Sequence, residues 1–271
     1  MLRVRTYVPP VLSALALLAA LVSASALAQT TAPPQKATPA ATTTPPSTTA
    51  PPPATVPAQA KASIVADSLE QRILACAQCH GKQGEGVRKN DYYPRLAGKP
   101  VEYLYNQLIG FRGKTRSASP IMTYMVGGLS DNYLHEIAGH YAALRPEFPA
   151  PAPAPTGQRL ALGEKLVMKG DAEREIPACV SCHGETLTGL LPGIPGLVGL
   201  FPDYITAQMG AWKNGKRNSK APDCMARVAS RLSGEDISAV SQYLGSRMVS
   251  PTALPAAAQS LKLPLECGSA R

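Results

Sequence analysis

The sequence predicts an all-α fold of two tandem domains, and three observations predict it. The second half of the chain repeats the first at a nearly constant offset. The patterned segments carry apolar residues at three- and four-residue spacing, with no alternating strand runs. Aromatic residues make up only 5% of the 271 residues, with a single Trp. That is too little large apolar side chain for two ordinary cores, so each domain needs apolar material from elsewhere.

The N-terminus reads as an export signal. Arg3 and Arg5 precede an apolar run over residues 11–22, and Ala26, Leu27 and Ala28 form a small-x-small cleavage site ending at Ala28. The run is short for a membrane span. Loss of Arg3 and Arg5 takes the net charge from +9 to +7. Export places the cysteines in an oxidising compartment and removes nucleic acid as a partner, despite the basic balance. Residues 29–62 hold nine Pro, nine Thr and no aromatic. Such a leader cannot offset its ordering entropy by burial, so it is expected to be disordered. Domain 1 is placed at 63–147, a stiff Pro/Ala linker at 148–156, domain 2 at 157–249 and a tail at 250–271. Helices are expected over 65–76, 100–111 and 130–144 in the first half, and over 159–169, 202–212 and from Ser233 in the second. Pro100 and Pro202 suit first-turn positions. Asp236, three residues after Ser233, suits a capping box.

The repeat carries the chemistry. At an offset of 103, Cys76, Cys79 and His80 fall on Cys179, Cys182 and His183. Met122 falls on Met225, and Leu129 and Ser130 fall on Leu232 and Ser233. Between these anchors the offset is 101: Pro94, Leu96 and Gly98 match Pro195, Leu197 and Gly199, and Phe111 matches Trp212. This is a duplicated domain. Each C-x-x-C-H reads as covalent haem attachment, the two thiols adding to the vinyl groups and the adjacent His binding the iron. A thioredoxin-like pair or half a zinc site competes. Neither explains the same His twice, and no βαβ pattern surrounds the motifs. Two covalently attached haem c groups are therefore expected, and they supply the missing apolar core.

An iron with one His needs a second ligand or an open site. The repeat selects Met122 and Met225, whose soft thioethers raise the reduction potential. Met125 is the rival in the first half. Met168, Met209 and Met248 read as core, and His135 and His140 as surface residues. Arg112, Lys114 and Arg116, with Lys213, Lys216, Arg217 and Lys220, form two basic loops. These dock an acidic partner, neutralise haem propionates or are ordinary solvated loops, and the sequence leaves all three open. Cys224 and Cys267 remain, and two leftover cysteines in an exported chain most often pair. The bond would pin the tail beside the Met side of the second haem.

The Cys-x-x-Cys-His-Gly motifs with Gly84 and Gly86, the Pro-x-Leu-x-Gly segments, the run from Phe111 to Arg116 and the Met-then-Leu-Ser endings together resemble the two-domain dihaem class I cytochromes c of the c4 type. The resemblance covers about residues 68–247. It implies tandem class I cytochrome c domains, His/Met irons, and Pro94 and Pro195 carbonyls held against the haem histidines. It also implies a periplasmic electron carrier, not an enzyme. The implied partners are redox proteins such as a respiratory complex, a dehydrogenase or a terminal oxidase, with membrane association only through them. The competing functions are a dedicated subunit of a periplasmic dehydrogenase or oxidase, a dihaem peroxidase, and a haem-based gas sensor. The leader and the tail depart from the family pattern.

Overall fold

A computed structural model describes residues 68–270 except 88, 89 and 91. The expected signal peptide and the leader at 29–62 lie outside the described residues. Among the described residues no helix is long and apolar enough to cross a membrane.

The first half contains α1 (Leu69–His80), α2 (Val101–Arg112), α3 (Pro120–Val126) and α4 (Asp131–Ala143). The Ser68 hydroxyl caps α1 by accepting from Gln71 N, and Ser130 does the same for α4 through Tyr133 N. Helix α4 buries Leu134, Ile137, Ala138 and Tyr141 on one face, as its 3.6-residue period requires. That face packs against Tyr103 and Leu104 of α2.

The second half repeats this plan with α5 (Gly157–Met168), the single turn α6 (Val180–His183), α7 (Pro202–Lys213), α8 (Cys224–Arg231) and α9 (Gly234–Gly245). A two-residue hairpin is added, with β1 (Gly189–Leu190) antiparallel to β2 (Ile194–Pro195). Helix α9 starts on a complete capping box: Ser233 Oγ accepts from Asp236 N at 3.1 Å, and Asp236 Oδ2 accepts from Ser233 N at 2.8 Å. Its Ile237, Val240, Tyr243 and Leu244 join Leu166 and Val167 of α5 in the larger core. Each such side chain contributes roughly 1.5–3 kcal/mol by leaving water. The crossing is close because α5 presents Gly163, where a Cβ would lie 2.5 Å from Ala239 O.

Three features differ from the sequence expectations. The segments carrying Met122 and Met225 are the short helices α3 and α8, which were not among the expected helices. Met168, the last residue of α5, and Met248, three residues beyond α9, are exposed rather than in the core, whereas Met209 is buried. Residues 148–156 do not stand free between the halves. Phe148 packs on Gly199 and under the Arg95 guanidinium, and Ala152 N donates to Gly245 O at 2.8 Å. The tail lies on the second half, as the expected Cys224–Cys267 bond requires, and Ala256 bridges Leu190.

The halves are joined by a bridge between equivalent loops. Arg116 pairs antiparallel with Arg217, Ser117 N donates to Lys216 O at 2.7 Å, and Asn218 N donates to Thr115 O at 2.8 Å. Both arginines are buried. Each donates to both Gln107 Oε1 and Gln208 Oε1, at 2.7–3.1 Å.

Candidate metal centres

Helical spacing brings the first motif together. Cys76 and Cys79 stand three residues apart on the last turns of α1, and His80 is four residues from Cys76, on the same face. Gly81 stops the helix at φ +84°, a conformation that costs glycine nothing. In the second half Cys179 caps α6, Cys182 and His183 follow in its one turn, and Gly184 stops it at φ +86°.

Both histidines are buried and held from behind. His80 Nδ1 lies 2.9 Å from Pro94 O, and His183 Nδ1 lies 2.7 Å from Pro195 O. In each case the proton sits on Nδ1, and Nε2 keeps its lone pair for a metal. Burial pulls both pKa values down against the opposing pull of the proline carbonyls, which favours the neutral ring. The loops are built for this contact. Gly86 N donates to His80 O at 2.8 Å, and a Cβ there would lie 2.5 Å from Arg95 N. In the second half β1–β2 places Pro195 opposite Gly189.

Burial pushes the thiols of Cys76 and Cys182 up, and that of Cys179 to about 12. In the second half, Cys182, His183 and Pro195 open onto a cavity that is partly open to solvent. Met225, Trp212, Tyr204, Met209 and Arg217 line it, with Lys99, Tyr103 and Gln107 from the first half. In the first half Met122 is half-buried against Phe111, Leu129 and Leu134, whereas Met125 is exposed.

The donor set of these sites fits haem. The cavity walls are mostly apolar. Trp212 Nε1–H and Arg217 Nε–H are buried there without an acceptor among the described residues, and a haem carboxylate would supply one. Arg116, Arg217 and Lys99 are buried, and among the described residues no carboxylate pairs with any of them. Buried cations need an anion. Their field, chiefly that of Arg217 and then Lys99, outweighs burial and lowers the Tyr103 pKa to about 7.

The basic loops therefore divide. Arg116 and Arg217 turn inward. Arg112 is held by Asp131 and by Leu129 O, and Lys213 Nζ donates to Leu232 O at 2.6 Å. Lys114, Lys216 and Lys220 remain exposed. His135, paired with Glu102, is exposed, and His140 is half-buried against Tyr141. Sequence reasoning missed Tyr103, Tyr204, Gln107 and Gln208. The 101-residue offset relates both pairs and was the signal available.

Two histidine–cysteine turns, each with a proline carbonyl behind its imidazole, define a dihaem protein of the class I cytochrome c kind. The comparisons with known proteins agree. No family model matches the chain. The thiosulfate dehydrogenase electron acceptor of Thiomonas intermedia (strain K12) is 40% identical over 178 residues, 66% of this chain and 81% of that protein. Cytochrome c4 of Thiocapsa roseopersicina is 34% identical over 191 residues, 69% of this chain and 95% of that one. The solved thiosulfate dehydrogenase (TsdBA) from Marichromatium purpuratum, in its as-isolated form, superposes with a TM-score of 0.57 at 33% identity. That match covers 64% of this chain but only 36% of the longer chain. The chain belongs to the dihaem cytochrome c4 family. It carries two covalently attached haem c groups and transfers electrons between protein partners; it is not an enzyme.

Proposed function

We propose that the chain is an exported, periplasmic electron acceptor for a dehydrogenase of the thiosulfate-oxidising kind. His80 and Met122 would hold the first iron, and His183 and Met225 the second. Cys76 and Cys79, and Cys179 and Cys182, would form the thioether links. The observation that carries the ligand assignment is the repeated Nδ1–carbonyl contact, which leaves each buried His Nε2 free to bind. The bound iron supplies reversible one-electron chemistry between the ferric and ferrous states. The chain's own residues fix the imidazole orientation, keep water from the metal and set the surrounding charge. The relatives named as thiosulfate dehydrogenase electron acceptors are the support for that class of donor.

The test is a potentiometric titration of mature holoprotein that records the near-infrared Met-to-iron band. Two low-spin haems with the band are expected, and Met122→Ala or Met225→Ala should each remove about half of it. A full band in either variant overturns that ligand assignment. Stopped-flow mixing with a reduced thiosulfate dehydrogenase tests the donor. Rapid, saturable reduction is expected, and no reduction above the rate with free thiosulfate overturns it.

A further inference from the structure

The tail carries a pattern that haem attachment does not use. Residues 261–267 alternate. Leu261, Leu263 and Leu265 are half-buried and Cys267 is buried, while Lys262, Pro264 and Glu266 face outward. This is the period of an extended strap with one apolar face. Leu263, Leu265, Cys267 and Ser269 line the second-half cavity together with His183 and Met225.

The strap is tied at its far end. Cys267 is disulfide-bonded to Cys224, the residue before Met225 and the first of α8. Gly268 N donates to Pro222 O at 2.9 Å, and a side chain at 268 would run into the Ala221 carbonyl. Asp223 caps the same helix, accepting from Ala226 N at 3.0 Å and from Ser219 N at 2.6 Å. A helix of eight residues has little stability of its own, so its first turn is set by such ties. The first half is built otherwise. The position matching Cys224 is the exposed Ile121.

We infer that the disulfide-anchored strap is the positioning device of the second metal centre: it fixes the start of α8 so that Met225 stays in the cavity, and its leucines shut that cavity to water and external iron ligands. This rests on Met225 being an iron ligand. Apolar enclosure disfavours the extra charge of the oxidised metal, so the strap also raises the potential of the second haem relative to an open site.

The test compares wild-type holoprotein with the C224S/C267S double variant. The first haem serves as internal reference. Near-infrared spectra, the two potentials and the rate of carbon monoxide binding to the reduced protein are measured. The variant is expected to lower the potential of the second haem alone and to bind carbon monoxide there about tenfold faster. If the double variant does not fold, the disulfide of folded wild-type holoprotein is reduced with a phosphine and the thiols alkylated. A Leu263→Ser, Leu265→Ser pair, with the disulfide intact, tests the apolar cover by itself. Unchanged second-haem potential and ligand binding with the strap cut overturn the inference, provided Met225→Ala still removes half the near-infrared band. A full band in Met225→Ala instead overturns the ligand reading on which it rests.

Discussion

Replacing Asp236 with Ala tests how the second half is held together. The carboxylate accepts from Ser233 N at 2.8 Å and from Arg174 Nη1 at 2.7 Å, and it is only 3% exposed. The substitution removes one arm of the capping box, worth about 1 kcal/mol, and the charge-assisted bonds of a buried acceptor, worth roughly 1–2 kcal/mol more. A loss of about 2–3 kcal/mol should lower the Tm by roughly 5–10 °C for a body of this size. Far-UV circular dichroism on holoprotein measures it. The acid limb gives a sharper check. Burial pushes the Asp236 pKa up, but Arg174 and the Ser233 donors pull harder, leaving it below the ordinary 3.8. A depressed folded pKa gives stability that is fully present above the unfolded value. That stability is lost as pH falls through the folded value. The stability gap between wild type and Asp236→Asn should therefore be flat at neutral pH and shrink below about pH 4. A Tm within about 1 °C of wild type for Asp236→Ala, or a gap that widens on acidification, would refute the reasoning.

Gly163→Ala should destabilise by about 1–3 kcal/mol in a urea titration, because the new methyl meets Ala239 O at 2.5 Å and Tyr243 Cβ at 2.8 Å across the α5–α9 crossing. Lys99→Met removes a buried cation from the wall of the second-half cavity. Spectroelectrochemistry should show the second haem falling in potential more than the first, since a nearby positive charge disfavours the oxidised metal. Lys114→Glu with Lys216→Glu inverts two exposed charges flanking the bridge between the halves. Reduction by an acidic donor should slow at low salt and converge on wild type at high salt, as stopped-flow traces would show.

The haem motifs, the repeat and the six long helices were legible because each rests on local spacing. Cys76, Cys79 and His80 need only one helical turn, and Ser233 with Asp236 needs only a cap. The Met-bearing helices were not legible. Helix α3 has seven residues and no side-chain cap bond, so periodicity has too few turns to register. The inward turn of Arg116 and Arg217 was hidden for another reason. An arginine between polar loop residues looks solvated until the partner loop, a hundred residues away, is laid against it. Met168 and Met248 failed in the opposite sense: an apolar residue at or beyond a helix end carries no signal of which way it faces. The strap's alternation was present in the sequence, but an extended segment with no partner strand has no predicted face.

The bridge between the halves is isologous in form, each arginine donating to both glutamines, as across the two-fold axis of a dimer. A symmetric pair of metal centres gives an electron no preferred position. This chain breaks the symmetry at three places that touch the second cavity. Lys99 stands where the repeat has Leu200, Trp212 stands where it has Phe111, and the strap lies over the second half. Lys99 and the apolar cover would both act in the same direction, favouring the reduced state of a metal in the second half. An electron delivered to the first half would then move downhill to the second. A donor docking near the exposed Lys114 and Lys216 would meet the molecule at that seam. If the two potentials are equal in the wild type, or the first haem is the higher, neither asymmetry has the electrostatic effect argued for it.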